Sequence, residues 1–250
     1  MLRALIWDVD GTLAETERDG HRVAFNLAFE EHGLPWHWDE RHYGALLAVA
    51  GGRERLLHDM DGRAGVPADA TARERLARTL HATKNRHYAT LVAAGAVQLR
   101  PGVRELIDDC AAAGVALAIA TTTSRVNVDV LLASQLGPSR RRRFAVVLCA
   151  EDASAKKPDP QVYLAALRQL DCRADEVLAI EDSPAGAAAC RAADVPVVVT
   201  RSHYFAAVDV GAVAALGPGL QTCAGWAPAP AAGSRIDLPR LRAWHDRASR

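Results

Sequence analysis

The sequence predicts an α/β protein, a doubly wound parallel sheet with an all-helical unit inserted after its first strand. Three observations lead there. Short apolar runs at residues 4–7, 115–120, 145–149, 177–180 and 197–199 read as strands buried on both faces. Helical periodicity separates the later runs, the alternation that builds a parallel sheet. Between Thr12 and Gln98 no strand pattern occurs, only helical ones.

The first run ends on Asp8-Val9-Asp10-Gly11-Thr12. Its carboxylates therefore leave the sheet at the C-terminal edge, where open α/β sheets bind ligands. Asp8 and Asp10 would share a face if the strand continued, and two carboxylates so close repel, which points to a cation between them. Gly11 frees the turn and brings backbone N–H groups near an anion. The bland alternative is an acidic strand end that caps the next turn.

Helical steps follow at His21, Ala24, Phe25, Ala28 and Phe29, closed by Gly33-Leu34-Pro35. Residues 38–47 and 53–60 read as helices separated by Ala50-Gly51-Gly52, and 68–93 as a longer helix with Leu76, Leu80, Tyr88 and Leu91 as its apolar stripe. This block, 16–96, is set apart as its own unit, leaving 1–15 and 97–250 as the α/β domain. Pro101 opens a helix that Gly114 closes, and helices at 125–136, 160–170 and 184–193 alternate with the strands, the first of them closed by Gly137-Pro138. Beyond Leu216 the pattern fades into a tail, 216–250. It holds an Ala/Pro linker at 227–233 and a short basic helix at 238–247, with Trp226 and Trp244 expected to anchor it on the body.

Composition narrows the class. Half the chain is hydrophobic, which a chain of 250 residues needs for a full core. Thirty basic residues balance thirty acidic ones, so no field favours nucleic acid or an anionic membrane. The run Arg140–Arg143 reads as a solvated loop. The five cysteines lack C-x-x-C spacing and read as reduced thiols, and His37 and His42 lack zinc-site spacing. Asp8 comes too early for a signal peptide and no apolar run approaches a membrane span, so a cytoplasmic, soluble monomer is expected.

The informative positions are strand ends: Asp8 and Asp10, then Thr121-Thr122-Thr123-Ser124, then Lys156-Lys157-Pro158, then Glu181-Asp182-Ser183-Pro184. A parallel sheet brings all four to one edge, which gathers carboxylates, hydroxyls and an ammonium. That inventory suits phosphoryl transfer. Asp8, Asp10 and Asp182 suit Mg²⁺, and Lys157 and the Thr121 hydroxyl suit phosphoryl oxygens. One aspartate can be the nucleophile that forms an acyl phosphate. Asp10 can protonate the leaving alcohol and then deprotonate water.

These four segments, in this order, resemble the motifs of the haloacid dehalogenase superfamily, D-x-D-G-T/V, a strand-end Ser/Thr, a Lys and an acidic pair. The resemblance implies a Rossmann-like core with Asp8 as nucleophile, Asp10 as acid/base, Thr121 and Lys157 on the phosphoryl group, and Mg²⁺ held among Asp8, Asp10, Glu181 and Asp182. Lys157 is preferred to Lys156 because the family's lysine directly precedes proline. The family's pattern often has Asp where Gln161 stands. The helical unit then looks like the family's cap domain, which closes over the active site and carries specificity residues.

Residues 1 to about 205 are most similar to the CbbY-type branch. The shared stretches are Asp8 to Glu17, His21-x-x-Ala24-Phe25, Trp38-Asp39, Gly51-Gly52-Arg53-Glu54-Arg55, Ala120 to Ser124 and Lys156-Lys157-Pro158. That branch removes phosphate from xylulose 1,5-bisphosphate, an inhibitor of Rubisco in the Calvin cycle. The resemblance thus implies a small phosphorylated sugar as substrate, with Gly51, Gly52 and Arg53 or Arg125 at the uncut phosphate. Thr122 and Thr123 stand beside the scissile one. Glu17 and Lys84 face sugar hydroxyls or, equally, form surface ion pairs, and His21 packs in its helix near the cap entrance. A β-phosphoglucomutase-like isomerase and a phosphoglycolate-type monophosphate phosphatase are the competing enzymes. A regulatory module that has lost catalysis is the non-enzymatic alternative, and none of the four motifs is lost.

Overall fold

The protein is described by a computed structural model covering residues 1–63 and 65–249. Its chain divides into two units, Thr16–Val97 and a second made of Met1–Glu15 with the residues from Gln98 onward.

Thr16–Val97 is all helical. A π-helical turn, Glu17–His21, leads into α1 (Arg22–Glu31), followed by α2 (Glu40–Leu46), α3 (Gly52–Met60) and α4 (Ala70–Ala93). Asp39 and Asp69 start α2 and α4 by accepting the N–H groups of His42 and Ala72, both at 2.7 Å. Phe25, Phe29 and Trp38 fill the centre, with the Trp38 ring 4.6 Å and 5.0 Å from the two phenyl rings. The Trp38 indole N–H, which cannot stay unpaired there, donates to Asp59 at 2.7 Å. The buried stripe of α4 differs from the one expected: it runs Ala77, Leu80, Lys84, Tyr88, Val92, while Leu76 and Leu91 are only half-buried. Leu76 and Leu91 also stand three or four residues from Leu80 and Tyr88, so periodicity alone does not separate them from Ala77 and Val92.

The α/β unit holds β1 (Ala4–Trp7), β2 (Ala116–Ala120), β3 (Phe144–Leu148), β4 (Val177–Glu181), β5 (Val197–Thr200) and β6 (Ala215–Gly217), all parallel, in the order β3-β2-β1-β4-β5-β6. β1 is central and fully buried, with Trp7 in register with Ile119 of β2 and Ile180 of β4. The order reverses at β1, so a crevice opens at the C-terminal ends of β1 and β4. The helices are α5 (Val103–Ala112), α6 (Arg125–Arg141), α7 (Gln161–Leu170), α8 (Pro184–Ala192) and α9 (Leu238–Ala248). Where the chain leaves for the helical unit and where it returns, Ala14 and Leu99 form an antiparallel bridge, and Arg100 N–H donates to the Leu13 carbonyl at 2.8 Å.

Two expectations are corrected. β6 lies where the pattern had faded. Helical structure resumes beyond Gly137, whose φ is +69°, so Arg140 and Arg141 end a helix rather than sit in a loop. Arg140 and Arg143 both pair with Asp108, and Arg141 with Asp129. The tail is anchored by the two tryptophans expected to do so. Trp226 and Trp244 stack at 4.8 Å and are buried, and a Cβ on Gly217 would fall 2.1 Å from the Trp226 indole, so only glycine fits there. None of the five cysteines is paired, and among the described residues no helix is long and apolar enough to cross a membrane.

Candidate active site

β1 delivers Asp8 to the sheet edge, with its N–H bonded to the Ile180 carbonyl at 3.0 Å. β4 delivers Glu181 and Asp182 beside it. One ligand oxygen from each of these three buried carboxylates lies within 4.8 Å of the others. The Lys157 ammonium, 5% exposed, donates to Asp8 at 2.7 Å, to Glu181 at 2.6 Å and to the Ala120 carbonyl at 2.8 Å. Lys156 is only half-buried. Tyr163, from α7, donates its hydroxyl to the same Glu181 oxygen.

Two glycines permit this crowding. A Cβ on Gly11 would stand 2.0 Å from Asp182 Oδ2, and one on Gly186 would stand 2.0 Å from the Glu181 carboxyl. Gly11 also has φ +79°, which a side chain rarely adopts. Ser183 caps α8 by accepting the Gly186 N–H at 3.0 Å, which holds that glycine against Glu181.

Three carboxylates against one ammonium leave a buried excess of negative charge. Burial raises the Asp8 carboxyl, with Lys157 opposing and Asp10 adding to the rise. Burial, then Asp8 and Glu181, hold Asp182 well above the usual carboxylate range. Glu181 is pushed up to about 7, by burial first, with Lys157 opposing and Asp8 adding. For Lys157 burial works downward, but Asp8 and Glu181 outweigh it and the ammonium is firmly charged. A hard divalent cation fits this site, because the donors are all oxygen and the excess charge is negative.

The other expected residues fall into two groups. Near the strand ends, the Thr123 hydroxyl donates to the Asp10 carboxylate, which adds to the rise of Asp8 without being one of the clustered three. Thr121 Oγ1 is buried and accepts the Thr123 N–H at 3.2 Å, and Thr122 is half-buried on the same turn. Arg125 is bound to Asp152 and the Val147 carbonyl. Gln161 fills the family's Asp position by accepting the Ala155 N–H at 2.9 Å and the Ser154 hydroxyl at 3.0 Å.

Within the helical unit, Glu17 and Lys84 are not surface residues. Glu17 accepts from Tyr43 at 2.5 Å and pairs with Arg55 at 3.2 Å. Lys84 is buried over the Phe25 and Tyr88 rings, at 5.2 and 5.3 Å. Arg53 pairs with Glu74 at 2.8 Å and Glu54 at 3.2 Å. Gly51 (φ +99°) starts α3, and Gly52 follows against His81 and Phe25. His21 is buried and stacked on Tyr88 at 4.2 Å.

Sequence reasoning missed Tyr163, Ser202 and Gly186. Tyr163 had a signal, since it stands third in α7, only six residues after Lys157. Ser202 had none, because it reaches Asp182 from a loop after β5.

A haloacid dehalogenase-like hydrolase family model matches residues 2–194. Protein CbbY (plasmid) of Cupriavidus necator is 46% identical over 252 residues, covering 98% of this chain and 97% of that one. Protein CbbY of Rhodobacter capsulatus is 44% identical over 211 residues, covering 84% and 90%. Among solved structures, a point mutant of CbbY from Rhodobacter sphaeroides in complex with xylulose-(1,5)bisphosphate superposes with a TM-score of 0.78 at 36% identity, covering 85% of this chain and 92% of that one. With this strand-edge geometry and these matches, the chain belongs to the haloacid dehalogenase-like hydrolases and, among them, to the CbbY family.

Proposed function

We propose that this phosphatase hydrolyses a phosphorylated sugar, with xylulose 1,5-bisphosphate as the foremost substrate, by way of a phosphorylated Asp8. The observation that carries the reading is the Lys157 ammonium bound to both Asp8 and Glu181 beside Asp182, at the switch point of the sheet. The xylulose bisphosphate in the related CbbY structure favours that sugar.

An Asp8 oxygen attacks phosphorus while the ester P–O bond breaks, and the departing alkoxide takes a proton from Asp10. Water then attacks the same phosphorus and gives its proton to Asp10, which frees Asp8 and inorganic phosphate. Asp10 is suited to this because its carboxylate is two residues from Asp8 and outside the buried acidic group. Lys157 and Thr121 meet the charge of the phosphoryl oxygens. Asp8 and Asp182 would hold Mg²⁺, while Glu181 keeps Lys157 in place, since one of its oxygens already takes both Lys157 and Tyr163. When bound, the ion neutralises the repulsion between carboxylate and phosphate.

For the uncut phosphate we propose Arg53, whose side chain is 40% exposed and whose carboxylate partners are themselves partly exposed. The test is an assay of xylulose 1,5-bisphosphate, phosphoglycolate, β-glucose 1-phosphate and p-nitrophenyl phosphate, with Mg²⁺ and with EDTA. The bisphosphate should give the highest kcat/KM, and EDTA should abolish every activity. Arg53→Ala should cost the bisphosphate about tenfold or more while sparing p-nitrophenyl phosphate. Conversion of β-glucose 1-phosphate to glucose 6-phosphate at the highest rate would overturn the hydrolase reading.

A further inference from the structure

Arg100 plays no part in the chemistry above, yet its side chain is 10% exposed and its N–H groups are spent on the sheet edge that forms the site. Nη1 donates to the Gly11 carbonyl, to the Thr200 carbonyl at 3.1 Å and to the Thr200 hydroxyl at 3.0 Å. Nη2 donates to the carbonyls of Arg201 at 2.6 Å and Pro218 at 3.1 Å. Nε lies 3.6 Å from Glu15. One guanidinium therefore ties together the turn after β1, the exit of β5 and the exit of β6.

Two of those segments form the walls around Asp182. Gly11 lies against it, since a Cβ added there would stand 2.0 Å from Asp182 Oδ2 and 3.0 Å from the Ser202 Cβ. Ser202, directly after Arg201, lies at the same spot and pulls the Asp182 carboxyl down against the rise that burial causes. Both walls thus hang on Arg100. A lysine cannot replace it, because a single nitrogen cannot reach acceptors spread over three segments, whereas the planar fork can.

We propose that Arg100 is a positioning residue for phosphoryl transfer: it fixes Gly11 and the Thr200–Ser202 turn, and through them the place of Asp182 and of the backbone that carries Asp10. It touches no substrate. The inference rests on the reading of Asp182 as a cation ligand.

Arg100→Lys keeps the charge and loses the fork. We expect kcat per folded molecule to fall about fivefold or more on both p-nitrophenyl phosphate and the bisphosphate, with KM within about threefold. Calorimetric binding of Mg²⁺ to the substrate-free variant should weaken about threefold or more. A smaller fall in kcat, a loss confined to KM, or unchanged Mg²⁺ binding would overturn the proposal. Should Arg100→Lys not fold, Thr200→Val removes one acceptor without changing side-chain volume. It should lower kcat about twofold with KM unchanged, and an unaltered kcat would overturn the proposal. Asp8→Asn run alongside separates the failures: retained turnover there sinks the phosphoryl-transfer reading itself, whatever Arg100 does.

Discussion

Each unit of this protein buries a lysine, and the two are accommodated by different chemistry. Lys157 sits among carboxylates that outnumber it, within 2.7 Å of Asp8 and 2.6 Å of Glu181. Lys84 sits over the faces of Phe25 and Tyr88, near His21. In the first setting the lysine offsets only part of a negative charge, and the remainder suits a divalent cation. In the second, the faces of Phe25 and Tyr88 lie under the ammonium, Asn85 accepts from it at 3.5 Å, and the nearby His21 imidazole is held neutral. Burial of a charge therefore does not identify a catalytic cluster by itself. What surrounds the ammonium, carboxylates in excess or aromatic faces, separates the acidic strand edge from the packed helical interior.

The largest test breaks the acidic cluster at its most reactive member. Asp8→Asn removes the proposed nucleophile's charge and almost no volume, so kcat should fall more than about a thousandfold, roughly 4 kcal/mol of barrier. The metal-free variant should be no less stable, because one of the crowded carboxylates has lost its charge. Steady-state rates and thermal unfolding check both halves, and turnover within about tenfold of the parent would remove Asp8 from its role.

A second test sharpens the contrast through pH. In metal-free protein burial holds the Asp182 carboxyl well above the usual range and pushes Glu181 up to about 7. Between the unfolded carboxylate range and about pH 7 the folded cluster thus binds more protons than the unfolded chain. Stability contributed by the cluster should fall as pH rises through that window. Mg²⁺ added to EDTA-treated protein should then raise Tm more at pH 7.5 than at pH 5.5, by roughly 5 °C, and Asp182→Asn should flatten the difference. An equal Mg²⁺ effect at both pH values would refute the picture.

The smallest effect has the opposite sign and belongs to the helical unit. Burial, then Lys84, against the pull of Glu17 and with Arg55 adding, keep the His21 imidazole well below its ordinary value. Below about pH 6.5 the unfolded chain takes up a proton there that the folded unit refuses, so stability falls as pH drops, by at most about 1.4 kcal/mol per pH unit. His21→Phe should flatten that acid limb in denaturant titrations at pH 7 and pH 5. A limb left unchanged would mean that His21 does not carry it.

Most of the frame was legible because buried parallel strands are continuous apolar runs, and a strand's end fixes where its polar neighbours emerge. Asp8, Lys157, Glu181 and Asp182 are close together in space because β1, β4 and the turn before α7 end on one edge. What stayed hidden depends on contacts without local pattern. β6 has only Ala215, Leu216 and Gly217, too short for periodicity, and is recognisable only from its pairing with β5. Arg100 looks like any basic residue in a connection, because its acceptors are backbone carbonyls scattered over the sheet edge. Arg53 and Arg55 flank the same Glu54, and nothing in the sequence ranks one above the other. Burial alone tells them apart, with Arg55 drawn in by Glu17 and Tyr43. Glu17 and Lys84 could be read as surface ion pairs only because sequence does not show which side of a helix its neighbours cover.

The bridge between Ala14 and Leu99 has an architectural consequence. The backbone that leaves the sheet and the backbone that comes back are hydrogen-bonded neighbours, so the α/β unit closes on itself without the segment in between. Closing so narrow a gap needs only a short turn, whose entropic cost depends weakly on what it replaces. Residues 16–97 are therefore a cassette in the cloning sense. They could be excised and the ends joined, or exchanged for another helical module, while the strand order and the acidic edge stay in place.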